Sequence, residues 1–95
     1  MGVKGMEKPL ATIEEWAVVE SVISEGYREL QPGNHLNGNV FGHQKFPNGK
    51  FIYTSAIVRV DLSKQIVETR NAVYLLGEPS DQYKTWQSKR RTVAA

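Results

Sequence analysis

Across residues 51–62 the chain alternates. Ile52, Thr54, Ala56, Val58, Val60 and Leu62 fall on one side of an extended backbone; Phe51, Tyr53, Ser55, Ile57, Arg59 and Asp61 fall on the other. Such a period of two marks a strand with one face on a core. The first set is therefore expected inside and the second at least partly in water. Two shorter strands, 65–69 and 72–76, follow after turns at Ser63-Lys64 and Arg70-Asn71, and Gly77 closes the run. Upstream, Val40-Phe41 between Gly38 and Gly42 anchors a first strand. Pro47-Asn48-Gly49-Lys50 joins it to the long one, and the Asn-Gly pair suits the positive φ of a tight hairpin.

Ahead of the turn cluster Gln31-Pro32-Gly33-Asn34 the period changes. Trp16, Val19 and Ile23, helped by Val22, recur at spacings of three and four. Thr12 with Glu15 has the form of a capping box, and Gly26 suits a left-handed stop. These features predict an amphipathic helix over 13–25. The expected fold class is α+β, with this N-terminal helix packed on a four-stranded antiparallel meander. The alternative is a meander curled into a small, SH3-like, partly open barrel. Residues 1–79 are expected to form the single domain, with 1–9 as a flexible leader ending at Pro9. Residues 80–95 form a basic C-terminal tail, or a short helix capped by Ser80 or Asp81.

At 95 residues, 40% apolar and 23% charged, the chain has the size and composition of one globular domain. It has no cysteine, which excludes disulfides, thiolate nucleophiles and Cys-ligated metal sites and favours a cytoplasmic setting. No apolar run approaches the length of a membrane span, so no membrane association is expected. The net charge of +2 is unevenly placed: Lys84, Lys89, Arg90 and Arg91 face only Asp81 in residues 80–95.

Candidate chemistry is sparse. His35 and His43 sit in turn-rich stretches without a third ligand at metal-site spacing, so both read as structural or surface histidines and no metal is expected. A His43, Ser55 and Asp61 triad lacks a nucleophile elbow. Gly38 to Gly42 has neither phosphate-loop spacing nor a Walker lysine, and bent-strand glycines explain it better. Glu68 and Asp61 beside Arg59 and Arg70 suggest cross-strand ion pairs. No catalytic residue and no cofactor site is assigned, and the chain is read as a non-enzyme.

Two surfaces remain. Phe51, Tyr53 and Ile57, on the face expected to be wet, form a candidate protein interface, with a homodimer as its simplest use. Tyr83, Lys84, Trp86, Lys89, Arg90 and Arg91 combine cations for phosphates with rings for bases, a candidate weak, sequence-nonspecific nucleic-acid contact.

Tyr53-Thr54-Ser55 followed by Val67-Glu68-Thr69-Arg70-Asn71-Ala72-Val73-Tyr74-Leu75-Leu76-Gly77 resembles a pattern in small bacterial and prophage-encoded proteins of unknown function. The resemblance spans residues 36–78. It implies a compact β-rich domain in a cytoplasmic bacterial or phage setting, and it carries no activity, cofactor or site. The overall expectation is a non-catalytic accessory or protein-interaction domain, with nucleic-acid binding as the alternative.

Overall fold

The computed structural model describes residues 8–23 and 26–93, with side chains described up to residue 90. Five strands, β1 (Leu10–Val19), β2 (His35–Phe41), β3 (Lys50–Asp61), β4 (Ile66–Thr69) and β5 (Val73–Leu76), precede one helix, α1 (Asp81–Val93). The strands form a closed barrel in the order β1-β2-β3-β4-β5. Successive pairs are antiparallel. With five strands in an up-and-down path the first and last run the same way, so the seam that closes the barrel is parallel, Leu10 opposite Val73 through Ile13 opposite Leu76. Closure leaves no free sheet edge along that seam.

The expected N-terminal helix and four-stranded count are therefore wrong, and the sheet is closed rather than partly open. Residues 13–19 of the segment read as helix belong to β1, and the described part of the rest is a turn in which Val22 and Ile23 are exposed. Residue 25, the expected helix end, lies outside the described residues. Trp16-Ala17-Val18-Val19 misled because all four are buried. A strand covered on both faces reads as a continuous apolar run, and its members then match helical spacings as well as strand ones. One sheet face is the barrel interior; α1 packs over the other through Tyr83, whose ring lies 5.5 Å from Trp16.

A bulge adds to the ambiguity. Glu14 pairs with Asn39 and Ala17 with Asn37, three steps on β1 against two on β2. Glu15 absorbs the extra residue at φ 52°. Across the bulge stands Gly38, buried, at φ +154°. A Cβ there would lie 2.8 Å from the Glu14 carbonyl oxygen and 3.0 Å from the Trp16 Cα, both backbone atoms. Gly38→Ala is expected to destabilise the domain by about 1–3 kcal/mol, the range for overpacking a core. An unchanged urea midpoint would show that the β1–β2 approach is looser than it looks.

The long strand also breaks phase. His35 pairs with Ala56 and Asn37 with Tyr53, one extra residue on β3. Ile57 then pairs with Thr69 and Arg59 with Glu68, a second extra residue. Each insertion reverses which residues face in. Ile52 and Thr54 point inward before the first bulge, and Ile57, 1% exposed, after it. Val58, expected inside, is 44% exposed. Small barrels need such bulges to coil their strands.

The interior is filled by Ile13, Val18, Leu36, Val40, Ile57 and Val67, all essentially inaccessible. Thr69 is equally buried; its hydroxyl donates to the Ala72 carbonyl at 3.1 Å and accepts the Ala72 N–H at 3.2 Å, closing the β4–β5 turn. Gly49 adopts φ 87° in the expected hairpin turn, and the Lys50 N–H reaches the Pro47 carbonyl at 3.1 Å. Among the described residues no helix is long and apolar enough to cross a membrane.

Candidate functional site

Helix α1 starts as its sequence directs: the Ser80 hydroxyl accepts the Tyr83 N–H at 3.1 Å, the N-cap to N3 bond. That cap drives Tyr83 into the domain. Its ring is fully buried, 5.4 Å from Tyr27 and 5.3 Å from Trp86, and its hydroxyl donates to the Arg28 carbonyl at 2.6 Å. Burial, with the Glu29 carboxylate in support, raises the Tyr83 phenol above its usual value, so it stays a donor.

This packing redistributes the residues considered for nucleic acid. Tyr83 belongs to the core. Trp86 is stacked on Tyr83, edge-on to Tyr27 and covered by the Arg90 guanidinium at 4.9 Å. Arg90 pairs with Glu29 at 2.5 Å and Lys84 with Glu78 at 3.3 Å. Lys89 is exposed, and the Arg91 side chain lies outside the described residues.

The proposed outer face is partly as expected and partly not. Phe51 and Tyr53 are 51% and 44% exposed, with ring centroids 5.5 Å apart at 88°, an edge-to-face pair on the outside of β3. Ile57 does not join them, because the first β3 bulge turns it into the barrel. Phe41 takes its place: it lies two residues along β2 from Asn39, the partner of Phe51, and is 39% exposed. Sequence reasoning placed Phe41 only as a strand anchor. Its alternation with buried Val40 was the available signal. Phe51 also borders a groove of about 220 Å³ floored by Ala17, Tyr27 and Asn37 and closed by Ser80 and Gln82 at the start of α1.

Behind this ridge is a recess of about 180 Å³. It opens where β3 runs past the end of short β4: β3 pairs with β4 only from Ile57 onward. Ile52, Ala72 and Tyr74 form its inner wall, and Phe46 and His43 from the β2–β3 loop cover it. Asn48 holds that loop, its side-chain oxygen accepting the Gly42 N–H at 2.8 Å. The His43 ring lies 4.8 Å from Phe46 and 6.2 Å from Tyr74. Its Nδ1 accepts the Lys45 N–H at 2.9 Å, which leaves the proton of the neutral ring on Nε2. Burial, and then the Lys45 charge, lower the His43 pKa from 6.5, favouring that neutral form.

No triad is assembled. Ser55 lines the same recess as His43, but its hydroxyl accepts the Asn71 N–H at 3.1 Å. Asp61 stands at the far end of β3, accepting from the Ser63 hydroxyl at 2.7 Å. His35 is structural: its Nδ1 lies 2.9 Å from the Thr54 carbonyl oxygen. The Arg59–Glu68 cross-strand pair is present at 3.2 Å, joined by Lys8 at 2.7 Å. Lys8 first and then Arg59 hold the Glu68 carboxyl below its usual range. An open hollow of about 610 Å³ lies at the start of α1 between Glu15, Glu78 and Asp81, bordered by Lys84. Among the described residues no three His, Asp or Glu side chains converge as a metal site.

No protein-family model, curated protein or solved structure matches this chain.

Proposed function

We propose that this chain is a non-catalytic accessory domain that binds another protein through the outer face of β2 and β3, in a cytoplasmic bacterial or phage setting. The observation that carries this reading is the Phe51–Tyr53 pair, two large rings about half in water and locked edge to face. A rigid aromatic pair presents apolar area at little entropic cost, and rings of this kind are enriched where proteins meet. Phe41 extends the patch on the neighbouring strand. The basic residues of α1 support nucleic-acid binding less well, because Arg90 and Lys84 are paired with acids and the Trp86 ring is engaged by its own domain.

Self-association about a twofold axis is the simplest use of the patch. Sedimentation velocity should show a dimer at high micromolar concentration, and a Phe51→Ser, Tyr53→Ser double variant should sediment as a monomer with unchanged far-UV dichroism. A wild-type monomer at that concentration rules out the homodimer. Photo-crosslinking from position 51 in a bacterial host then decides for a heterologous partner, and the absence of any adduct there would sink the interaction reading.

A further inference from the structure

We infer that the recess behind the Phe51–Tyr53 ridge is a binding site for a small aromatic carboxylic acid. Its volume, about 180 Å³, suits one six-membered ring; a protein cavity of roughly 150 Å³ holds benzene. The lining is apolar and aromatic: Phe46 and His43, half-buried, from the β2–β3 loop, above the nearly buried Tyr74, Ile52 and Ala72 of the barrel. The space lies beside the part of β3 that pairs with β2 alone, since β4 pairs with β3 only from Ile57 onward.

The polar groups decide the charge of the ligand. Lys45 is an exposed ammonium on the border, and among the described residues no Asp or Glu lines the recess. His43 has its Nδ1 engaged by the Lys45 N–H, so the Nε2–H is the donor left over. Asn71, exposed, also lines the recess. On the adjoining strand the Glu68 carboxylate is offset by Lys8 at 2.7 Å and Arg59 at 3.2 Å, so it adds little negative potential. One cation and neutral donors around an aromatic slot select an anion attached to a ring. An aromatic cage for a cationic ligand would be built the other way, with carboxylates at the border and no lysine.

The inference does not depend on the association reading, since the recess and the outer ridge share Tyr53 alone and Phe51 does not line the recess. It is tested on the ¹⁵N-labelled full chain with three probes of one shape: phenylacetate, 2-phenylacetamide and phenethylammonium, at constant ionic strength. Phenylacetate should produce saturable amide shifts at Lys45, Tyr53, Ser55, Ala72 and Tyr74. About ten non-hydrogen atoms at ordinary ligand efficiency place the Kd on the order of 1 mM. The amide should bind more weakly and the ammonium weakest. Lys45→Gln, a surface change, should weaken phenylacetate about two- to five-fold, the range for an exposed ion pair, and leave the amide unchanged. Phe51→Ser, which removes the ridge but not the recess, should leave phenylacetate binding intact whatever it does to association. Binding of the ammonium as tight as the acid, shifts centred away from the recess, or no saturation at tens of millimolar would each overturn the site.

Discussion

Replacing Trp16 by alanine should cost about 3–5 kcal/mol, the range for deleting a large buried aromatic. Trp16 is 6% exposed, and its indole N–H donates to the Gly77 carbonyl at 2.9 Å. Its backbone is equally committed. The Trp16 N–H reaches the Glu78 carbonyl at 3.3 Å, and the Trp16 carbonyl accepts the Ser80 N–H at 2.8 Å. The side chain therefore ties β1 to the segment that leads from β5 into α1. Removing it opens a cavity and leaves the Gly77 carbonyl without its donor, so the loss should lie at the upper end of that range. A domain of this size holds roughly 5–15 kcal/mol in total. The measurement is the midpoint of urea unfolding followed by fluorescence and dichroism, Trp86 remaining as reporter. An unchanged midpoint would mean that Trp16 is not a core residue.

Tyr83→Ala should have a comparable effect, about 3–5 kcal/mol, although it lies beyond the last strand. The ring is inaccessible and meets Trp16, Tyr27 and Trp86 at centroid distances of 5.3 to 5.5 Å. Its hydroxyl is the donor for the Arg28 carbonyl. Tyr83→Phe isolates that bond and should cost about 1–3 kcal/mol, the penalty for leaving a buried acceptor unpaired. A chain ending at Pro79 loses the whole contribution of α1 and uncovers Trp16 and Tyr27, so it should be largely unfolded at room temperature. If the truncated chain keeps the full-length midpoint and near-UV dichroism, α1 is an appendage and Tyr83 packs on a barrel that stands without it.

The strands after residue 35 could be located from the sequence because their signals are local. Gly49 needs only its own conformational freedom to turn the chain, and Glu68 opposite Arg59 needs only the register of one hairpin. Ser80 capping α1 is likewise a bond spanning three residues. What the sequence leaves open is which face of each element is covered, and by what. Trp16 to Val19 satisfies helix and strand spacings alike; the choice is made by Asn37 to His35 on one side and Gly77 to Pro79 on the other, which supply β1 with backbone partners from distant parts of the chain. Ile57 reads as an outward residue by parity, and the first β3 bulge, not any property of isoleucine, brings it inside. Tyr83 and Trp86 read as a basic–aromatic tail until Tyr27 and Trp16 are seen to complete their packing. The recess under His43 exists only because β3 outruns β4, a mismatch in strand length that takes effect when the barrel closes. Local hydrogen bonding and turn chemistry are encoded within a few residues, whereas burial is a property of pairs of elements far apart in sequence, and the tertiary structure alone decides it.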